Sequence, residues 1–144
     1  MKMLSLIAVL ALVTSCTTNE VNEEASAKIA SHELTITIPN VKNDQGKVSI
    51  AVFDQAGFLT TPVQGVELNA HAGSLTHTFT GLDAGAYAVM ILHDENENRD
   101  MDFYDTGMPK EEWAASGKPL TGPPSFEQNR FELTGDTDLT LHMQ

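Results

Sequence analysis

The sequence predicts an all-β fold, an immunoglobulin-like or transthyretin-like β-sandwich of about seven strands with one long irregular excursion. Apolar and polar residues alternate in several short runs, which is typical of strands that bury one face and expose the other. Polar turns separate these runs, and no stretch shows a convincing helical period. The 144 residues are enough for one domain with its own hydrophobic core.

The strands follow one another along residues 33–144, which we assign to the β-sandwich domain. Leu34, Ile36 and Ile38 alternate with threonines and define the first strand, which ends at Pro39. Further strands are predicted at 47–53, 63–70, 74–80 and 86–92, with a closing pair at 130–134 and 139–143 joined by a turn at 135–137. The run 86–92 is apolar throughout, which indicates a central strand covered on both faces.

A tyrosine corner is indicated at the start of the central strand. Tyr87 follows Asp83 and Gly85 at short spacing. In immunoglobulin-like sandwiches, a tyrosine near the start of one strand donates a hydrogen bond back across the preceding turn. We expect Gly85 to supply the backbone freedom that this turn needs. The alternative is that Tyr87 is simply an aromatic side chain of the core.

The N-terminus has the pattern of an export signal. Residues 1–15 combine a basic start with a short apolar run and then small residues, which predicts a signal peptide. Cys16 follows directly and resembles the lipidated cysteine of a bacterial lipobox, so we predict a membrane anchor through lipid on Cys16 and a flexible tether within 16–32. Thr17 follows the cysteine, which by resemblance to Gram-negative lipoproteins favours the outer membrane, with the domain periplasmic or surface-facing. The alternative is an ordinary signal peptide with an incidental cysteine.

The chain is strongly acidic. Its formal net charge is −12, and removal of residues 1–15 takes away one of the 8 basic residues and leaves 7 against 20 acidic ones, a net charge of −13. Such a chain cannot neutralise phosphates, so we expect no nucleic acid partner. An acidic surface fits solubility and the binding of divalent cations.

Oxygen-bearing side chains occupy every second position from residue 94 to residue 102. Each of these short side chains can direct one oxygen toward a common cation while the backbone between them turns. Calcium takes about six to eight oxygen ligands and suits a flexible, carboxylate-rich loop. Counting from Asp94 as position one, Asp105 stands at position twelve, where an EF-hand has its last carboxylate. We therefore predict a Ca²⁺ site formed by Asp94, Asn96, Asn98, Asp100, Asp102 and Asp105.

The loop nevertheless differs from an EF-hand. Arg99 stands at position six in place of glycine, and a strand rather than a helix precedes the loop. It is closer to the calcium loops of dockerins and thrombospondin type-3 repeats. The alternative is a solvated acidic turn, which is the usual fate of charge runs. The histidines lack the close spacing of a zinc site.

Residues 94–127 form the long excursion, because they lack a strand pattern. Segments of this length without secondary structure are usually functional or disordered. The aromatic residues Phe103, Tyr104, Trp113 and Phe126 argue against disorder. We expect a segment that folds over the sandwich and is fixed at one end by the metal loop, with one or two helical turns within 109–116.

Several stretches resemble domain-of-unknown-function family 2141, a group of small exported bacterial proteins. The resemblance spans about residues 33–143 and is carried by the segments 82–89, 93–98, 107–111 and 122–126, together with Asp102. The family usually has glycines after Asn96 and Asn98, where this chain has Glu97 and Arg99. The resemblance implies a β-sandwich and export, but it implies no activity.

The sequence therefore predicts a calcium-binding, non-enzymatic lipoprotein of the cell envelope that acts as a binding or structural module, with an envelope protein or a glycan as its possible partner. No motif for nucleophilic catalysis or phosphate binding is present. One alternative is a metal-dependent enzyme centred on His93 and the loop aspartates. The other is a carbohydrate- or peptide-binding module that uses Trp113 and the neighbouring aromatic residues.

Overall fold

Two β-sheets pack face to face in a computed structural model that describes residues 31–118 and 122–144. The predicted signal peptide, Cys16 and most of the predicted tether lie outside the described residues. The described elements are β1 (His32–Val41), β2 (Lys47–Phe53), β3 (Gln64–Asn69), β4 (Gly73–Leu82), β5 (Gly85–Asp94), β6 (Trp113–Ala115), α1 (Phe126–Asn129), β7 (Arg130–Leu133) and β8 (Thr137–Thr140). No helix in this part of the chain has the length and apolar character needed to span a membrane.

The predicted all-β sandwich is confirmed. One sheet has the strand order β4-β1-β8, and the other has the order β3-β2-β5 with β6 and β7 both on the far edge of β5. Alternate residues of each strand point into the space between the sheets. Leu34, Ile36 and Ile38 of β1 are fully buried there, opposite Val48 and Val52 of β2. This single core accounts for the alternation in the sequence.

Strand β5 is the central strand of its sheet, as the apolar run predicted. It pairs with β2 along seven residues, from Lys47↔Asp94 to Phe53↔Ala88. On its other edge, β6 pairs with residues 90–92 and β7 pairs with residues 85–88. Ser116 bridges the gap between β6 and β7 on this edge. Its hydroxyl accepts a hydrogen bond from the Val89 N–H (2.8 Å) and donates one to the Asn129 carbonyl (2.6 Å).

The prediction that the last two strands form a closing pair is wrong. Strand β7 joins β5, whereas β8 pairs with β1 in parallel orientation in the other sheet. The turn between them carries the chain from one sheet to the other. Its Asp136 carboxylate accepts a hydrogen bond from the Glu33 N–H (2.9 Å), and this contact ties the turn to the start of β1.

The helical turns predicted within 109–116 are also wrong. Residues 113–115 form the short strand β6 instead. As a strand, they pair with backbone N–H and C=O groups on the edge of β5, which a helical turn at this position would leave without partners. Strand β6 raises the count within the described residues from about seven to eight. The single helical turn of the excursion lies later, at α1.

Tyr87 has the contact that defines a tyrosine corner. Its hydroxyl donates a hydrogen bond to the Asp83 carbonyl at 3.1 Å. Gly85 does not have a positive φ, so the expected conformational role of this glycine is wrong; instead, it lies directly against the Tyr87 ring. Burial raises the pKa of the Tyr87 hydroxyl, and the negative charges of Asp83 and Asp54 raise it further.

Replacing Tyr87 by phenylalanine tests this corner. We expect Tyr87→Phe to lower the free energy of unfolding by about 1 kcal/mol, because one hydrogen bond is lost. Since the folded-state pKa is raised, the wild type also loses stability as the pH rises from about 10, the pKa of an unfolded tyrosine, through the folded-state pKa. Urea unfolding at neutral pH and above pH 10 measures both effects, and Tyr87→Phe should show the smaller alkaline loss.

Tyr104→Phe is the matched control, because Tyr104 is 56% exposed. It should change stability by less than about 0.5 kcal/mol at neutral pH. Equal effects of the two substitutions would contradict a structural role for the Tyr87 hydroxyl.

Candidate functional site

The loop that follows β5 is built on a buried carboxylate. Asp94 is the last residue of β5, and only 1% of it is exposed. Its Oδ1 accepts a hydrogen bond from the Asn98 N–H (3.2 Å) and its Oδ2 accepts one from the Arg99 N–H (2.7 Å). A buried carboxylate requires such donors, because desolvation without them is costly. Asp94 therefore fixes the turn of residues 94–99.

The turn before β2 packs against the start of this loop. Gly46 has φ +67°, and a Cβ at this position would lie 2.0 Å from the Asp94 carbonyl oxygen, so only glycine fits. The neighbouring Gln45 carbonyl lies 2.8 Å from Nε2 of His93. The His93 side chain is fully buried, and within the described residues its Nδ1 has no hydrogen-bond partner. Successive residues of a strand face opposite sides of the sheet, so His93 points into the sandwich and Asp94 points out of it.

Three predicted ligands converge at Asp102. The side-chain amides of Asn96 and Asn98 both donate to Asp102 Oδ2, at 2.5 and 3.2 Å. Their amide oxygens accept N–H groups of the loop itself, with Asn96 Oδ1 bonded to Asn98 N (3.0 Å) and Asn98 Oδ1 bonded to Asp100 N (2.8 Å). The alternating pattern therefore produces consecutive tight turns, with both asparagine side chains directed at the Asp102 carboxylate.

Glu111 completes the loop, although the sequence analysis did not select it. It is buried, with 7% of its surface exposed, and its Oε1 and Oε2 accept hydrogen bonds from the N–H groups of Glu95 (3.1 Å) and Asp102 (3.3 Å). One carboxylate thus joins the two ends of the loop. A hairpin brings it there: Phe103 and Pro109 form a β-bridge, and the Lys110 N–H bonds to the Asp102 carbonyl at 2.8 Å.

The two remaining predicted ligands lie outside this focus. Asp100 is exposed and lines a groove described below. Asp105 is exposed in the tight turn at the tip of the 103–109 hairpin, where the Tyr104 N–H bonds to the Met108 carbonyl. Among residues 31–118 and 122–144, no group of three or more His, Cys, Asp and Glu side chains is arranged to hold a metal ion. The convergence at Asp102 instead involves two asparagine amides, and amide oxygens are calcium ligands.

A groove of about 900 Å³ lies between the outer face of the β3-β2-β5 sheet and the excursion. Ser49 and Ala51 of β2, which pair with Leu92 and Met90 of β5, form its floor. Trp113, which is half-buried and pairs with Leu92, also lines it. The excursion contributes to the opposite wall, and Leu59 lies at the rim. The excursion residues there are Arg99, Asp100, Met101 and Phe103. The apolar run of β5 predicted a strand covered on both faces, but it did not predict a groove beneath the covering segment.

Fold and site together define a small all-β sandwich whose one sheet is partly covered by an acidic loop and an apolar groove. The chain belongs to the family described as an uncharacterized protein conserved in bacteria, DUF2141, whose model matches residues 36–141. This confirms the resemblance seen in the sequence. Neither the comparison with curated proteins nor that with solved structures found a match.

Two loop residues have left-handed backbone conformations that normally favour glycine. Glu97 has φ 60° and Arg99 has φ 67°. They are the two positions at which the resemblance to the family implies glycine. The hydrogen bonds from the N–H groups of Asn98 and Arg99 to Asp94 impose this backbone path. For residues with a Cβ, such a conformation costs about 1–2 kcal/mol.

Replacing Glu97 by glycine should therefore stabilise the protein. The relief of backbone strain exceeds the extra entropy that glycine gives the unfolded chain, which is about 0.5–1 kcal/mol. We expect Glu97→Gly to raise the free energy of unfolding by up to about 1 kcal/mol, measured by urea unfolding. Asp105→Gly is the control: Asp105 is outside the left-handed region, so this change should destabilise the protein. A loss of stability in Glu97→Gly would contradict the strain.

Proposed function

We propose that the protein is a calcium-binding, non-enzymatic module of the cell envelope. The observation that supports this most directly is the convergence of Asn96, Asn98 and Asp102 above the buried Asp94. Two amide NH₂ groups donate hydrogen bonds to the Asp102 carboxylate. Their partial positive charge stands where a bound cation would place its charge. Rotation of either amide about its last bond would present an oxygen in the same direction, at the cost of the hydrogen bond that this oxygen accepts from a loop N–H.

The buried carboxylates are compatible with this proposal. Asp94 and Glu111 each accept two backbone N–H groups. An ionised carboxylate has about four lone-pair positions, so each can accept these hydrogen bonds and still ligate a cation. These carboxylates do not form a ready-made metal group among the described residues, so binding would draw them in toward Asn96, Asn98 and Asp102. The charge of the ion would offset the repulsion among the acidic side chains of the loop.

The position of His93 supports a binding role rather than a metal-dependent enzyme. Its side chain is buried between the sheets and contacts the Gln45 carbonyl, whereas the loop carboxylates lie on the outer side of the sheet. His93 and the loop therefore do not face a common space in which a substrate could contact both. The groove beside Trp113 supports the alternative binding module, whose ligand class is argued in the next subsection.

Calcium should raise the melting temperature of the purified mature protein. With a dissociation constant of about 10⁻⁴ M, which is typical of extracellular modules, calcium at about a hundred times that concentration would stabilise the fold by about 2.7 kcal/mol. This corresponds to a rise in Tm of roughly 10 °C. Differential scanning calorimetry in calcium, in magnesium and in chelator measures the shift, which we expect with calcium only.

Conservative substitutions then locate the site. Asp102→Asn and Glu111→Gln each remove one negative charge and preserve size, so both should abolish most of the calcium shift. Asp138→Asn makes the same charge change on an exposed position of β8, in the other sheet, and should retain the full shift. A wild-type shift in Asp102→Asn, or no shift in the wild type, would refute the calcium site.

The anchor on Cys16 has a separate test. We expect the full chain, produced in a Gram-negative host, to fractionate with the outer membrane and to carry a diacylglyceryl mass increment at its N-terminus. Cys16→Ser should move the protein to the soluble periplasmic fraction without that increment. Ser15→Ala is the control and should leave the fractionation unchanged. Membrane recovery of Cys16→Ser equal to that of the wild type would exclude the lipid anchor.

A further inference from the structure

We propose that the groove between the outer face of the β3-β2-β5 sheet and the excursion binds a small amphiphile with an apolar body and a cationic end. The inference does not rest on the calcium site, because the floor of the groove belongs to the sheet. A volume of about 900 Å³ lies within the range of about 300–1,000 Å³ that is common for small-molecule sites.

Small side chains on the sheet create the groove. The outward face of β2 carries Lys47, Ser49, Ala51 and Phe53, and Ser49 and Ala51 pair with Leu92 and Met90 of β5. A sheet face that packs on another layer normally fills such positions with bulky residues, because interiors are close-packed. Ser49 and Ala51 are small, and they line the groove half-buried together with Met90 and Leu92. The excursion therefore stands off the sheet instead of packing down on it.

The walls and rim of the groove are apolar. Met101, Pro109 and Trp113 line it, so an apolar body in the groove would be largely removed from water. Two rim residues are exposed to an unusual degree for their type: Leu59 is 50% exposed and Phe103 is 54% exposed. Exposed apolar side chains beside a recess are typical of binding sites. Ligand contact would bury both.

The charge around the groove selects the polar end of the ligand. Residues 94–112 contain eight acidic side chains and only two basic ones, Arg99 and Lys110. Arg99 lines the groove, but its Nε is already paired with Glu67 Oε1 at 3.3 Å. Asp100 also lines the groove. The acidic excess of residues 94–112 makes the potential around the groove negative, which attracts a cation and disfavours an anion.

A matched pair of dyes tests the groove. N-phenylnaphthylamine is neutral and fluoresces in apolar surroundings, and anilinonaphthalene sulfonate is its anionic derivative. We expect saturable binding of the neutral dye and markedly weaker binding of the sulfonate. Decyltrimethylammonium, below its micellar concentration, should displace the neutral dye at a concentration at least about tenfold lower than decanoate. All titrations are repeated in chelator, where the same order should hold whether or not the loop binds calcium.

Two variants assign the binding to the groove. Ala51→Leu fills the floor and should weaken dye binding at least about tenfold, because the larger side chain occupies the space that the dye would take. Thr76→Leu adds a similar side chain to the exposed outer face of β4 and should bind as the wild type does. Glu67→Gln releases Arg99, so decanoate should compete severalfold better than it does in the wild type.

The proposal fails if the neutral dye does not bind, if Ala51→Leu binds as the wild type does, or if decanoate competes as well as decyltrimethylammonium. If circular dichroism shows that Ala51→Leu is unfolded, a double variant of the rim, Leu59→Ser with Phe103→Ser, replaces it. Unchanged dye affinity in this double variant would then overturn the proposal. Sedimentation at increasing protein concentration tests whether a second copy of the chain occupies the groove. A dimer that excludes the dye would assign the groove to that copy and overturn the proposal.

Discussion

The buried carboxylate of Asp94 is the constraint on which the loop and its surroundings depend. It ends the central strand and faces the outer side of the sheet, yet 1% of it is exposed, so water cannot satisfy its oxygens. The chain satisfies them with its own backbone, by turning so that the N–H groups of Asn98 and Arg99 point back at Asp94. That turn imposes left-handed conformations at Glu97 and Arg99 and places Asn96, Asn98 and Asp102 together.

The two faces of β5 have different roles because of the same alternation. The inward face, from Tyr87 to His93, belongs to the shared core of both sheets. The outward face carries Met90, Leu92 and Asp94, and a folded segment rather than a third sheet covers it. The covering segment leaves unfilled space over the small side chains of Ser49 and Ala51, and this space is the groove.

The sequence predicted those parts of the structure that local pattern determines. The strands in 33–92 followed from alternation, and the run 86–92 correctly indicated the central strand. Strand partners at the C-terminus did not follow, because β8 is held to β1 by a ladder between residues about a hundred positions apart, which local pattern does not reveal. Glu111 was missed because the 103–109 hairpin, not sequence spacing, brings it to the loop. The groove was missed because small outward residues such as Ala51 look like any solvated position until a segment covers them.

The loop and the groove share the excursion, so the two proposed binding events would be linked. Asp102 belongs to the loop, while Asp100 and Phe103 line the groove. A cation at the loop would hold this segment in one conformation, which reduces the entropy lost when a ligand binds beneath it. The same cation would weaken the negative potential that attracts a cationic ligand.

The electrostatic contribution is screened over about 8 Å at physiological ionic strength, whereas the ordering contribution does not depend on salt. At high salt the ordering contribution dominates, so each of the two binding events should strengthen the other. Because linkage is reciprocal, the sign of this coupling must be the same whether the cation or the ligand is titrated first.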